Sequence, residues 1–179
     1  MRRAAGPIWL LGMMGAGKSS VGRALARELG LPFFDTDAEI ECRAGCAVSE
    51  IFAREGEPRF RELEREAVAR LAGARAVVAL GGGAPAEAAV AELLRATGVR
   101  VYLRASPAQL LERLGDAAGR PLLAGRDAAG RLARLEQLAA LREAAYAAAD
   151  EVIDTDGLDP EQVAARVARA VQGREGSPA

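Results

Sequence analysis

One segment near the start of the chain constrains its fold more than any other. Residues 12–19 read Gly-Met-Met-Gly-Ala-Gly-Lys-Ser and fit the pattern G-x-x-x-x-G-K-[ST] at every position. An apolar run at 7–11 comes directly before them, and the apolar residues Val21, Leu25 and Leu29 recur at helical spacing directly after them. This order of strand, glycine loop and helix is the context that the motif requires. We therefore expect a buried strand that leads through the loop into the N terminus of a helix.

The glycine-rich loop has the groups that bind phosphate. Its glycines let successive backbone N–H groups point at phosphate oxygens, and the helix N terminus adds partial positive charge. Lys18, the only lysine among many arginines, is suited to the terminal phosphates of a nucleotide, and the Ser19 hydroxyl is suited to Mg²⁺. The loop alone does not separate a kinase from an ATPase or a switch protein. The predicted nucleotide-binding residues here are Gly15, Ala16, Gly17, Lys18, Ser19 and Ser20.

The rest of the chain alternates short apolar runs with helical periodicity. Four further strands are predicted, at 32–34, 76–80, 99–103 and 151–154. Helices are predicted at 38–72, with interruptions around Gly45 and Gly56, and at 86–96. Three more are predicted: one that begins at Ser106-Pro107, a long one that ends at about Ala149, and a last one that begins at Pro160. This alternation predicts an α/β fold, a three-layer sandwich with a central five-stranded parallel sheet. Ligands of such sheets bind outside the carboxyl ends of the strands.

Length and composition predict a single domain over residues 1–172. A chain of 179 residues is within the usual size of one domain, and the sequence shows no repeat or linker. Residues 115–127 are rich in glycine, arginine and aspartate and have few apolar side chains, so we expect a mobile lid there. Residues 173–179 are expected to form a disordered tail.

The residues that are rare or absent exclude several chemistries. There is no histidine, which excludes Ser-His-Asp and Cys-His nucleophile systems, histidine-ligated zinc and imidazole catalysis. Cys42 and Cys46 are the only cysteines, too few for a four-cysteine zinc site, and we expect two buried free thiols in a reducing compartment.

Charge and hydropathy favour a small ligand over a polymer or a membrane. The formal net charge of −1 provides no global field to attract nucleic acid or an acidic membrane. The first apolar segment is interrupted by Gly12, Gly15 and Gly17, too soon for a signal peptide or a spanning helix. We expect a cytoplasmic protein without nucleic-acid or membrane partners.

Some polar residues near the predicted strand ends have two interpretations. In many P-loop proteins a strand ends in the aspartate that helps to hold Mg²⁺. Here the third and fourth strands run into Gly81 and Arg104, so that carboxylate has to come from another place. Asp35 and Asp37 are the nearest candidates. Both aspartates could instead cap the following helix. Gly81, Gly82 and Gly83 either admit a ligand close to the main chain or form a flexible turn.

Seven motifs, in order, resemble those of shikimate kinase, a family of small P-loop kinases related to nucleoside monophosphate kinases. The resemblance covers about residues 8–169. The motifs are the loop at 12–19, Asp35-Thr36-Asp37, Phe60-Arg61 with Glu64, Gly81-Gly82-Gly83, Arg120-Pro121-Leu122-Leu123, Arg142 with Tyr146, and Asp154-Thr155-Asp156. The resemblance implies a P-loop NTPase fold with a lid that closes over the site.

The resemblance also assigns roles to residues that composition leaves unassigned. Asp35 is placed on the metal side, and Asp37 accepts hydrogen bonds from a substrate hydroxyl. Arg61 and Arg142, each of which alone resembles an ordinary solvated helix residue, bind the substrate carboxylate together with Gly81, Gly82 and Gly83. Arg120 is the lid arginine at the transferred phosphoryl group, and Arg113 and Thr155 border the adenine.

The implied reaction is transfer of the γ-phosphoryl group of ATP to the 3-hydroxyl of shikimate, with Mg²⁺ as cofactor. Lys18, Asp37 and Arg120 would be catalytic, and the enzyme would act as a monomer. Two alternatives stay open at this point. One is a related kinase for gluconate or a nucleotide, and the other is a nucleotide-sensing module without turnover.

Overall fold

The computed structural model describes residues 6–115, 121–123 and 125–175. Its centre is a five-stranded, fully parallel sheet with strand order β2-β3-β1-β4-β5. The strands are β1 (Ile8–Leu11), β2 (Phe33–Asp35), β3 (Val77–Ala79), β4 (Val99–Arg104) and β5 (Glu151–Asp154). All five lie within two residues of their predicted positions.

Helices cover the sheet, as the alternating pattern predicts. They are α1 (Lys18–Leu29), α2 (Thr36–Ala44), α3 (Val48–Leu71), α4 (Ala88–Thr97), α5 (Pro107–Leu114), α6 (Ala128–Ala147) and α7 (Pro160–Glu175), with short 3-10 turns at Ala84–Ala86 and Pro121–Leu123. The β1–β2 connection runs toward one edge of the sheet and the later connections run toward the other. Because parallel crossovers are right-handed, α1 lies on one face and α2 to α6 on the opposite face. The predicted α/β fold class is confirmed.

The first strand and helix follow directly from their sequence. Strand β1 is buried along its whole length and includes Trp9, which is 0% exposed. Helix α1 begins at Lys18 and ends at Leu29, as the apolar spacing predicts. Gly30 ends the helix in the left-handed conformation with φ of 64°, which glycine adopts without a Cβ penalty.

The segment between β2 and β3 forms a small second core beside the sheet. Ile40 of α2 packs there with Ile51, Phe60 and Ala67 of α3. Helix α3 is kinked at Gly56, whose φ of 81° is not helical, so the chain turns before the half that includes Arg61. The interruptions predicted around Gly45 and Gly56 are both confirmed.

The end of the chain and the predicted lid lie only partly within the described residues. Helix α7 continues to Glu175, beyond the expected end at 172, and Arg174 there donates hydrogen bonds to the Asp150 carbonyl and to Glu151. In the predicted lid, residues 116–120 and 124 lie outside the described residues. Leu123 is only 1% exposed and belongs to the main core, whereas Leu122 beside it is 42% exposed, and the mobility of the lid stays a prediction.

The expectation that both cysteines are buried is wrong. The thiols are free, but Cys42 is exposed and Cys46 is partly exposed. Helix α2 buries Thr36 and Ile40 on one face, and Cys42 lies two residues after Ile40, on the other side of the helix.

Within the described ranges, no helix is long and apolar enough to cross a membrane.

Candidate active site

An open cleft of about 890 Å³ lies at the carboxyl ends of the strands. The loop after β1 forms its floor, the α2–α3 connection forms one wall, and the segment after β5 forms the other. Residues predicted from distant parts of the sequence meet here. Those that line the cleft are Gly15, Ala16, Gly17, Lys18, Ser19, Ser20, Asp35, Asp37, Gly82, Arg113 and Thr155.

The glycine-rich loop encloses the side chain of Lys18. Its Nζ donates hydrogen bonds to the carbonyl oxygens of Gly12 at 2.8 Å and Met13 at 2.9 Å. A Cβ on Gly12 would lie 2.7 Å from the Leu103 carbonyl oxygen, so only glycine lets the loop pass this close to β4. The ammonium group is thus held where the loop and the start of α1 meet.

Ser19 and Asp35 form one oxygen-rich contact at the start of α1. The Ser19 hydroxyl donates to Asp35 Oδ2 at 2.6 Å, and Asp35 Oδ1 accepts from the Asp37 backbone N–H at 3.1 Å. The helix-cap interpretation of Asp35 is therefore correct, and it is compatible with a metal role because the two oxygens have different partners. A hydroxyl and a carboxylate are hard oxygen donors of the kind that Mg²⁺ uses together with nucleotide phosphates.

The glycines after β3 leave room for the side chains around them. A Cβ on Gly81 would lie 2.9 Å from Asp37 Oδ1, and one on Gly83 would lie 2.7 Å from both terminal nitrogens of Arg61. A Cβ on Gly82 would lie 3.2 Å from Arg142 Nη1. These glycines therefore bring the main chain against an acid and two arginines, and none of the three has a positive φ. Gly82 and Gly83 lie in a turn, and the crowding around that turn favours a specific structural role for these glycines.

Arg61 is held by two glutamates of its own helix. Its Nη1 donates to Glu64 Oε2 at 2.7 Å, while Nε and Nη2 both donate to Glu57 Oε1, at 3.2 and 2.9 Å. Glu64 is fully buried, and this burial raises its pKa above the usual range although the Arg61 cation opposes the rise. The guanidinium is thereby fixed beside Gly83.

Arg142 and Tyr146 reach the same glycines from α6. The Tyr146 hydroxyl donates to the Gly82 carbonyl, and burial raises the pKa of this phenol to about 12, so it remains a donor. Arg142 Nη1 lies 3.8 Å from the Met13 sulfur. Arg61 and Arg142 thus meet at the glycine segment from two helices that are far apart in the chain.

Arg113 connects the phosphate loop to the segment after β5. Its guanidinium donates to the Thr155 hydroxyl at 3.0 Å, to the Thr155 carbonyl at 2.6 Å and to the Ala16 carbonyl at 3.4 Å. Thr155 is buried, and Leu158 and Pro160 line the cleft beside it. The residues expected to border the adenine are therefore together at one end of the cleft.

Sequence reasoning missed three contributors to this site. Glu64 was recognised in a motif but had no role, although its spacing of three residues from Arg61 indicates a helical ion pair. Glu57, four residues before Arg61, has the same signal. Met13 has no such signal, since its contact with Arg142 joins residues 129 positions apart. Arg120 lies outside the described residues.

Comparisons with known proteins agree on one family. A family model described as shikimate kinase matches residues 14–172. The shikimate kinase of Moorella thermoacetica is 49% identical over 168 residues, which covers 93% of this chain and 95% of the relative. The structure of shikimate kinase from Acinetobacter baumannii in complex with shikimate superposes with a TM-score of 0.90 at 34% identity, and the match covers 96% of both chains.

A more distant similarity is one of fold. A gluconokinase from Sinorhizobium meliloti superposes with a TM-score of 0.56 at 22% identity, over 97% of this chain and 99% of the other. At that identity the likeness shows the fold alone.

Proposed function

Because this chain belongs to the shikimate kinase family, it transfers the γ-phosphoryl group of ATP to the 3-hydroxyl of shikimate, and we propose how its own residues perform that reaction. The products are shikimate 3-phosphate and ADP, in the route to chorismate and the aromatic amino acids. Such a transfer needs little covalent chemistry from the protein, so catalysis rests on positioning and electrostatics.

Arg61 and Arg142 bind the carboxylate of shikimate beside Gly81, Gly82 and Gly83. Two observations support this role. Both guanidinium groups lie against the glycine segment, where a Cβ would collide with Arg61 and crowd Arg142. A guanidinium also pairs with a carboxylate through parallel N–H bonds, which fixes the ring of the acid as well as its charge.

Asp37 accepts a hydrogen bond from the attacking hydroxyl and acts as its general base. Asp37 lines the cleft together with the phosphate loop, and its Oδ1 would lie 2.9 Å from a Cβ on Gly81. This position lets one oxygen face the ring hydroxyl while the carboxylate of shikimate stays with the arginines. The Asp37 carboxylate therefore both orients the hydroxyl and removes its proton.

Lys18, Ser19 and Asp35 serve the nucleotide phosphates. Lys18 exchanges the loop carbonyls for phosphate oxygens, and the backbone N–H groups from Gly15 to Ser20 bind the remaining oxygens. Ser19 and Asp35 would hold Mg²⁺, directly or through water, because their oxygens meet at 2.6 Å beside Lys18. The ion neutralises phosphate charge when it is bound there.

Two further arginines complete the nucleotide side. Arg113 and Thr155 border the adenine, supported by their shared hydrogen bonds at one end of the cleft. Arg120 closes over the transferred phosphoryl group as part of the lid at 115–127, and this role rests on the sequence motif. A closed lid keeps water from becoming the acceptor.

The approach of two arginines to the glycine segment beside the phosphate loop is the observation that carries this proposal. It is tested by ADP release from Mg-ATP in the presence of shikimate, gluconate or nucleoside monophosphates. Release that depends on shikimate alone is the expected result. Equal or greater release with gluconate or a nucleotide would contradict it.

We further propose a cytoplasmic monomer. Both described thiols are free, as expected in a reducing compartment. Among the described residues the exposed large apolar side chains are Leu122, Leu141 and Val152, which come from three different elements. Light scattering should give a mass close to 18.7 kDa, and a multiple of that mass would contradict the monomer.

A further inference from the structure

Met13 of the phosphate loop contacts two cations, Lys18 on the nucleotide side of the site and Arg142 on the substrate side. Its carbonyl oxygen accepts from Lys18 Nζ at 2.9 Å, and its sulfur lies 3.8 Å from Arg142 Nη1. The side chain is only 3% exposed, so the surrounding core holds the thioether in place. A residue that appears in the loop motif only as a variable position thus lies between the phosphate lysine and a substrate arginine.

The two substrate arginines are held by different kinds of acceptor. Arg61 donates to the carboxylates of Glu57 and Glu64, which offset its charge. Among the residues that the structure describes, Arg142 has no carboxylate within 4.0 Å, and its side-chain partners there are the Met13 sulfur and the Tyr146 hydroxyl, both of them neutral. A thioether is a neutral and weak acceptor, so it directs an N–H group without cancelling the charge of the cation.

The Tyr146 hydroxyl does not compete with Arg142 as a hydrogen-bond donor to the Met13 sulfur. It lies 3.8 Å from the same sulfur, but a phenol has a single hydrogen, and the Gly82 carbonyl lies at a shorter distance from it. Sulfur lone pairs are then available to the guanidinium. Tyr146 donates its one hydrogen to the neighbouring glycine, so its oxygen and the Met13 sulfur are the two neutral groups that hold Arg142.

We propose that Met13 is a positioning residue that directs Arg142 at the carboxylate of the substrate. This inference rests on the proposed role of Arg142. Its physical basis is that a buried acceptor of the correct reach selects one orientation of a flexible cation before the substrate binds. A leucine has similar bulk but no acceptor, so it would keep the packing and lose the orientation.

The test is the change Met13→Leu, made alone and together with Arg142→Lys. Alone, it should raise the KM for shikimate about three- to tenfold while kcat stays within about twofold and the KM for ATP is unchanged. In the Arg142→Lys background, which lacks the Nη1 atom, the same change should have less than half that effect on KM. An unchanged KM for shikimate, or an equal effect in both backgrounds, would overturn the proposal.

Loss of stability is separated by a control variant at a core residue that does not line the cleft. Val167→Ala removes buried volume on α7, and Val167 is 0% exposed. It should lower the unfolding midpoint at least as much as Met13→Leu and leave the KM for shikimate unchanged. If Val167→Ala raises that KM as much as Met13→Leu does, the effect is general destabilisation and the proposal fails. A wild-type enzyme that releases no ADP with shikimate would instead overturn the proposed function itself.

Discussion

The Ser19 hydroxyl lies 2.6 Å from Asp35 Oδ2 and donates a hydrogen bond to it, which joins the start of α1 to the end of β2. Because the other Asp35 oxygen caps α2, this one carboxylate connects three elements around the phosphate loop. A substitution at Asp35 therefore affects both the metal requirement and the local structure.

Asp35→Asn should raise the Mg²⁺ concentration needed for half-maximal activity about tenfold, because it removes a negatively charged oxygen from the proposed metal ligands. Asparagine can still cap α2, so the unfolding midpoint should change little. A magnesium titration of activity measures the effect. An unchanged magnesium requirement in the folded variant would remove Asp35 from the metal side.

Asp37→Asn should lower kcat by roughly 10²- to 10⁴-fold while ATP binding changes little, because the amide cannot accept the proton of the attacking hydroxyl. Steady-state kinetics and nucleotide binding by calorimetry provide the two readouts. Asp35→Asn is the matched comparison, the same chemical change two residues away along the chain. Loss of ATP binding with normal shikimate binding would contradict this role, because it would place Asp37 on the nucleotide side of the site.

Arg61→Lys should raise the KM for shikimate roughly tenfold with little change in the KM for ATP, because lysine keeps the charge but loses the planar fork. Arg59→Lys is the control on the same helix, since Arg59 pairs with Glu55 and Glu62 on the surface. The two variants are compared by steady-state kinetics. Similar KM values for both would mean that the fork of Arg61 does not bind the acid.

Burial of Glu64 predicts a pH dependence of stability. Because its pKa is raised in the folded protein, the native state binds more protons than the unfolded chain between the ordinary carboxyl pKa, about 4.3, and the raised value. This contribution therefore lowers the free energy of unfolding as pH increases through that window. Glu64→Gln should flatten the slope, measured by urea unfolding with Trp9 fluorescence at several pH values. A slope identical to that of the wild type would contradict this origin.

Arg120→Ala should lower kcat about 10²-fold or more while shikimate and ATP, each measured alone, bind almost as well as to the wild type. The reason is that the proposed contact is made only when the lid closes on the phosphoryl group. Arg126→Ala, an exposed arginine near the end of the same segment, is the control and should retain ordinary kcat. An ordinary kcat for Arg120→Ala would exclude the closing role.

Much of the fold follows from local patterns along the chain. The bounds of α1, the turn at Gly30, the cap at Ser106 and the strand at Glu151–Asp154 were all predicted, because each depends on neighbouring residues within one or two turns. The ends of parallel strands also meet at one edge of a sheet, which is why the loop at 12–19, Asp35, Gly81 and Thr155 were expected to lie together.

Only the tertiary structure decided how the side chains of the site support one another. The contact of Met13 with Arg142 joins residues 129 positions apart, and that of Arg113 with Thr155 joins residues 42 apart. The burial of Glu64 and the exposure of Cys42 likewise depend on which face of a helix meets the core. The sequence by itself determined the element order and the phosphate loop, since local spacing specifies both. Packing decided which cation each acceptor holds, because that depends on distances between elements that no local pattern records.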